Sequence, residues 1–250
     1  MEEFFRILIS TWWGITLICV VAVAVWMLIS ALFYRVFFKR FYDIVLSGLA
    51  LLLLSPVLLI LIVLGAIKMK GNPFFTQLRP GKKGKIFRLI KFRTMTCEKD
   101  ENGNLLPDEK RLTRYGKILR STSLDELPEL INIFIGNMSI VGPRPLAVQY
   151  LDFYNENEKR RHDVLPGLTG LAQVNGRNCL NWPDRFAYDL NYVDNLSLFM
   201  DISIIFKTVL KVVKRSDISV RATGEIMDFD KYRMLENEKG VKNEEDSIKD

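Results

Sequence analysis

Two carboxylates stand side by side, Asp125 and Glu126, inside the run Ser121-Thr-Ser-Leu-Asp-Glu-Leu-Pro. Three arginines sit in stiff or turn-rich backbone: Arg144 between two prolines in Gly142-Pro-Arg-Pro, Arg120 just ahead of the carboxylates, and Arg177 in Asn175-Gly-Arg-Asn. Proline on both sides of Arg144 restricts the chain and pre-positions a planar donor fork, which suits phosphate. Carboxylate, guanidinium and a divalent metal are the toolkit of phosphoryl transfer, which needs charge neutralised and a nucleophile held in line. The same residues admit a plainer reading. Ser123 with Glu126 matches the capping box, acidic residues complement the dipole of a first helical turn, and Pro128 suits a helix start. On that reading the pair only caps a helix and each arginine is a surface ion-pair partner.

Other chemistries have little to work with. His162 is the single histidine, and no nucleophile elbow, Walker loop or dinucleotide fingerprint occurs. Cys19, Cys97 and Cys179 are odd in number and far apart, which argues for neither a disulfide framework nor a zinc site, so the polar part reads as cytosolic.

The segments that must hold these residues divide unevenly. Of the 250 residues 49% are hydrophobic, and the excess lies between residues 7 and 67. Ile7 to Tyr34 carries no charge and exceeds the roughly 20 residues a spanning helix needs. It reads as an uncleaved transmembrane helix, with Arg35, Lys39 and Arg40 behind it placing residue 35 onward in the cytoplasm. Phe41 to Ile67 is also long enough to span, but nine Lys or Arg residues follow between Lys68 and Arg93, so both flanks favour the cytoplasm. Ser55-Pro56 near its middle removes a backbone donor and bends the chain. A re-entrant helix-break-helix satisfies both facts, and a proline-kinked span is the alternative.

Beyond it, residues 72 to 95 predict a hairpin, Cys97 to Asp108 a polar loop, and Leu112 to Leu119, Leu127 to Ile135 and Leu146 to Val164 carry helical spacing. Leu198 to Val213 forms an apolar stripe opposite Lys207, Lys211 and Lys214, either lying on an anionic membrane surface or packing on the core. The expected fold is a helix-rich mixed α/β cytosolic catalytic domain on a re-entrant membrane helix, with an extra N-terminal transmembrane helix. Its parts are an anchor over residues 1–38, the re-entrant segment over 39–70, the catalytic domain over 71–225 and a charged, disordered tail over 226–250. The net charge of +6 suits an anionic partner. Nucleic acid is not favoured, because the basic residues gather beside an apolar segment.

Several runs taken together resemble the small monotopic phosphoglycosyl transferases, bacterial sugar transferases that start glycan assembly on undecaprenyl phosphate. They are Lys39-Arg-Phe-Tyr-Asp, the Ser55-Pro56 break, Phe75-Thr-Gln with Arg79-Pro-Gly, Lys91-Phe-Arg-Thr-Met, Leu124-Asp-Glu-Leu-Pro, Val141-Gly-Pro-Arg-Pro and the stretch from Pro166 to Arg177. The resemblance covers about residues 38 to 220. It implies that Asp125 attacks the β-phosphate of a UDP-sugar, releases UMP and holds the phosphosugar until polyprenyl phosphate takes it. It implies magnesium at Glu126, beside Asp125. It places Lys91, Arg120, Arg144, Arg177 and Asp201 among the functional residues, and Asp189 with them, although a helix-surface carboxylate is the plain alternative for the last. It also implies the bacterial inner membrane, with the catalytic domain facing the cytoplasm and membrane lipid as a partner. Residues 1 to 38 match neither the minimal members nor the large ones with several spans. The competing reading is a non-catalytic membrane adaptor whose arginines bind anionic lipid.

Overall fold

The computed structural model describes residues 12–176, 180–214 and 227–247. Its apolar N-terminal third forms two helices, Trp12–Leu32 and Lys39–Met69, joined by a π-helical segment Tyr34–Phe38. Both are long and apolar enough to cross a membrane. Between residues 26 and 42 a continuous helix would cover about 24 Å. Instead Trp26 Nε1 donates to the Tyr42 hydroxyl at 3.0 Å, and Ser30 Oγ lies 2.9 Å from the same oxygen. The chain therefore reverses across the π-helical segment, and Trp26 meets Phe38 edge-on at 5.2 Å.

The expected break at Ser55-Pro56 does not interrupt the second helix, whose hydrogen bonding runs from Lys39 to Met69 with Pro56 inside. Proline has no N–H to offer the carbonyl one turn back, which here belongs to Leu52. Ser55 Oγ donates to that carbonyl at 2.7 Å, so the bond is replaced rather than lost.

This helix touches the rest of the protein along one face and at both ends. Near its start Arg40 donates to the carbonyls of Ile133 and Phe134 at 2.6 and 2.8 Å, and Asp43 Oδ1 accepts from Ser139 Oγ and the Ile140 amide. Further along, Leu51 and Leu54 pack on Phe87, Leu89, Ile133 and Met138. Close to the far end Leu61 packs with Phe92 and Leu119, and its carbonyl accepts from the Tyr115 hydroxyl. The opposite face, with Leu52, Leu53, Ile60 and Ile67, is exposed. An uncovered apolar face of that extent matches hydrocarbon rather than water.

The polar part is helix-rich mixed α/β, as expected. β1 (Phe74–Pro80) and β2 (Ile86–Phe92) pair antiparallel as the predicted hairpin, with Phe75 opposite Lys91. β3 (Ser139–Val141) and β4 (Gly167–Thr169) pair in parallel. Gly142 sits against the β4 segment so closely that a Cβ there would meet the Leu165 carbonyl at 2.4 Å, which fixes glycine at the strand exit. One core gathers Val141, Val164, Val174, Tyr192, Val193 and Ile204; a second is aromatic, with Tyr150, Tyr154, Trp182, Phe186 and Phe229.

Two expectations are corrected. The helical spacing over Leu146 to Val164 does not give one helix. Asn155 starts a fresh turn with a full capping box to Glu158, dividing the stretch into 3-10 turns at Val148–Phe153 and Arg160–Asp163 around Glu156–Lys159. The tail expected to be disordered over 226–250 carries a helix, Phe229–Ser247, anchored by the fully buried Phe229. The helix Leu198–Lys214 buries Ile204 and Asp201 and leaves Phe199, Ile202, Phe206 and Val209 exposed.

Candidate functional site

The carboxylate pair stands on a 3-10 turn, Leu124–Glu126. The preceding helix Arg114–Thr122 ends at Ser123, which takes the left-handed conformation (φ 57°) and so turns the chain. In that conformation Ser123 makes no side-chain cap, and the capping box matched by the sequence is not formed. Glu126 is freed for partners distant in sequence. Its Oε1 accepts from Lys91 Nζ, at the end of β2, at 2.8 Å and from Arg144 Nη2, in the loop after β3, at 2.6 Å. Burial pushes the Glu126 carboxyl up. The charges and hydrogen bonds of Arg144 and Lys91 outweigh it and hold the group well below the usual carboxylate range.

Glu129, which the sequence reading did not single out, opens the helix Glu129–Ile135 and is 2% exposed. Lys91 Nζ lies 3.0 Å from its Oε1, but that atom has no aligned hydrogen bond. Burial pushes the Glu129 carboxyl up; the adjacent Glu126 charge adds to this, and Lys91 offsets only part. The two glutamates thus share one lysine, with Glu126 ionised and Glu129 shifted toward its neutral form.

Asp125 differs from both. The hydrogen bond that its half-buried carboxylate accepts comes from its own backbone amide. Burial and the Glu126 charge raise it, while Lys91 and Arg120 pull the other way. Arg120 is aimed by a close approach of backbone to helix: Gly116 has no room for a Cβ, which would meet the Thr94 carbonyl at 1.9 Å. That approach lets Arg120 Nε donate to Thr94 Oγ1 at 3.1 Å.

Lys91, Arg120, Asp125, Glu126 and Arg144 are therefore brought together. Asp189 and Asp201 are placed elsewhere, 2% and 4% exposed and bound inside the protein. Asp201 accepts from Lys39 Nζ at 2.6 Å, the Tyr34 hydroxyl at 2.6 Å and the Tyr192 hydroxyl at 2.8 Å. Asp189 accepts from Arg161 Nη2 at 2.7 Å and Nε at 3.1 Å. Both pairs hold the loop that carries Arg144. The Val141 carbonyl accepts from Lys39 and Tyr192, and the Arg144 carbonyl accepts from Arg161 Nη2 at 2.8 Å. Lys39, Arg161 and Tyr192 are neighbours of the candidate site that the sequence reading did not single out. The partners named here lie 17 or more residues away or, for Tyr192 and Asp201, across a turn between helices, so no local pattern marks them. Arg177 lies outside the described residues. His162 is buried against Tyr154, and burial with the Arg161 charge lowers its imidazole to about 4, so it is neutral at ordinary pH.

Among the described residues no three His, Cys, Asp or Glu side chains are grouped to enclose a metal ion. Two adjacent carboxylates, one of them ionised, are what magnesium takes when substrate phosphates and water fill the rest of its shell.

A family model described as bacterial sugar transferase matches residues 33–215. The chain is 49% identical over 175 residues to "Uncharacterized sugar transferase EpsL" of Bacillus subtilis (strain 168), covering 70% of this chain and 87% of that protein. It is 42% identical over 184 residues to the "UDP-glucose:undecaprenyl-phosphate glucose-1-phosphate transferase" of Klebsiella pneumoniae, covering 70% of this chain but only 40% of that longer protein. It is 40% identical over 194 residues to the "Exopolysaccharide production protein ExoY" of Sinorhizobium fredii (strain NBRC 101917 / NGR234), covering 68% and 83%.

Proposed function

The chain belongs to the bacterial sugar transferase family, and on that premise we propose that it moves a sugar-1-phosphate from a UDP-sugar to undecaprenyl phosphate, as the first membrane step of exopolysaccharide, capsule, O-antigen or glycoprotein glycan assembly. The names of the Klebsiella and Sinorhizobium relatives support the donor, the carrier and the exopolysaccharide setting. In the proposed reaction an Asp125 carboxylate oxygen attacks the β-phosphorus. The bond to the bridging oxygen breaks, and UMP departs with that oxygen. A phosphate oxygen of the lipid carrier then attacks the same phosphorus, breaking the acyl-phosphate bond, returning Asp125 and giving the lipid-linked diphosphate sugar. One observation carries the assignment of roles. Glu126 is held by Lys91 and Arg144 and Glu129 lies against Lys91, whereas the hydrogen bond on Asp125 comes from its own backbone amide. Arg144, Lys91 and Arg120 face charge that grows on the transferred phosphoryl group. Magnesium, held by Glu126 with Asp125 beside it, would supply further neutralisation of that charge. The helix-capping role that the adaptor reading gives Glu126 is not formed.

The test is release of nucleotide from a panel of UDP-sugars with undecaprenyl phosphate. UMP is expected, whereas UDP would mean transfer of sugar without its phosphate and would overturn the mechanism. A pH profile adds a second check. Asp125 must be ionised to attack and its carboxyl is raised, so activity is expected to fall with acid at a pH above the ordinary aspartate value of about 3.9. Glu129→Gln keeps the shape of a group already displaced toward neutrality and is expected to retain turnover within about threefold, whereas Glu126→Gln is expected to lose about a hundredfold or more. Equal losses in the two variants would refute the division of labour.

The re-entrant arrangement is also part of this proposal. A helix whose two ends both dock on one polar domain is hard to reconcile with a span, which would leave its ends on opposite sides of roughly 30 Å of hydrocarbon. Cys97 is exposed on the polar domain. In a variant keeping only that cysteine, a membrane-impermeant thiol reagent is expected to label inside-out vesicles and spare intact cells. Labelling of intact cells would put the domain on the outer side.

A further inference from the structure

The family match ends at residue 215, yet the segment from Met227 is built into the domain. Trp182 Nε1 donates to the Met227 carbonyl at 2.8 Å, and the Tyr150 hydroxyl donates to Asp228 Oδ1 at 3.1 Å. Phe229 is 0% exposed, its ring centroid 5.0 Å from Phe186, 5.1 Å from Trp182, 5.3 Å from Tyr154 and 5.6 Å from Tyr150. One turn on, Arg233 Nη2 donates to both oxygens of Glu158 at 2.5 and 2.7 Å.

Two walls of this aromatic box continue toward the candidate active site. Tyr154 and Phe186 each flank the Arg161 guanidinium, 5.8 Å from either ring centroid, and Arg161 Nη1 donates to the Tyr154 hydroxyl at 3.4 Å. Arg161 in turn donates to the Arg144 carbonyl, and Arg144 donates to Glu126. We propose that the segment Met227–Arg233 is a positioning clasp for the catalytic centre: Phe229 closes the box that fixes Arg161, and Arg161 fixes the backbone from which Arg144 reaches Glu126. Removing the Phe229 ring leaves a void that Tyr154 and Phe186 relax into, and the walls around Arg161 loosen. The clasp acts through Arg161.

The proposal rests on the assignment of Arg144 and Glu126 to the reaction, so its test needs one readout that does not use turnover. Full-length protein carrying Phe229→Ala, and separately the milder Phe229→Leu, is compared with the unaltered chain well below the melting temperature of each. Hydrogen exchange is followed at the Gly142, Arg144 and Leu146 amides, with nucleotide release measured in parallel. Faster exchange at those amides is expected in both variants, larger for alanine. Turnover is expected to fall by about tenfold to a hundredfold in kcat while the donor KM stays within about twofold, the pattern of a displaced transition-state contact. Unchanged exchange at 142–146, or a lower melting temperature with kcat intact, would overturn the clasp. If the unaltered chain releases no nucleotide, the catalytic assignment fails, and the exchange comparison still decides the clasp.

Discussion

Asp125→Asn is expected to lower nucleotide release by on the order of 10⁴-fold while leaving the fold intact, as loss of a covalent nucleophile does elsewhere. The amide has the shape of the acid but no anionic oxygen to form the phosphorus bond. Little native contact is lost, because the hydrogen bond on the Asp125 carboxylate comes from its own backbone amide, which the amide oxygen of asparagine also accepts. The burial that raises Asp125 should even make the neutral amide easier to accommodate. A donor labelled in its sugar, supplied without lipid acceptor, should leave label on the wild-type protein and none on the variant. Turnover of the variant within tenfold of wild type would move the nucleophile elsewhere, with Glu126 next in line despite its two cations.

The largest effect on stability is expected at Asp201. It accepts from Lys39, Tyr34 and Tyr192, and the Lys39 and Asp201 side chains are only 11% and 5% exposed. Asp201→Ala leaves a lysine charge and two hydroxyl groups in a closed space, and removing one member of such a buried pair costs about 3–5 kcal/mol. Replacing both charges with apolar groups of similar volume, Lys39→Met with Asp201→Leu, should recover much of that loss, since the remaining cost is polar contacts rather than an unpaired ion. Thermal unfolding in detergent decides the matter. An unaltered melting temperature for Asp201→Ala would mean that water reaches the pair. Because Lys39 also donates to the Val141 carbonyl, the single variant should loosen the loop bearing Arg144 as well.

The sequence marked which residues gather more readily than what each of them contacts. Arg120, Arg144, Asp125 and Glu126 were legible because proline, glycine and adjacent carboxylates stand out locally, Lys91 only through the family resemblance, and the structure does assemble them. The capping box misled because it is a local rule. Ser123 and Glu126 satisfy its spacing, but the helix ahead ends in a left-handed Ser123, and Glu126 is claimed by cations 35 and 18 residues away. Asp189 and Asp201 stood out for the same reason that they are hard to interpret. A buried carboxylate in a tight network and one that meets substrate look alike until the partner is known. The charged end of the chain hid its anchors: Phe229 and Arg233 are few among acidic and basic neighbours, yet they decide that the helix has a place to dock. The two apolar stretches were plain from composition, but the helical hydrogen bonding through Pro56 was not, since it depends on a serine hydroxyl one residue earlier.

The contact between Trp26 and Tyr42 bears on biogenesis. An indole N–H and a phenol released one at a time into hydrocarbon would each lack a partner, at a cost of several kcal/mol for every group left unsatisfied. With the indole donating to the Tyr42 oxygen and the Ser30 hydroxyl beside that oxygen, across the reversal at Tyr34–Phe38, the groups satisfy one another. For the first helix to enter lipid with these groups satisfied, the start of the second must already have been synthesised and folded back against it.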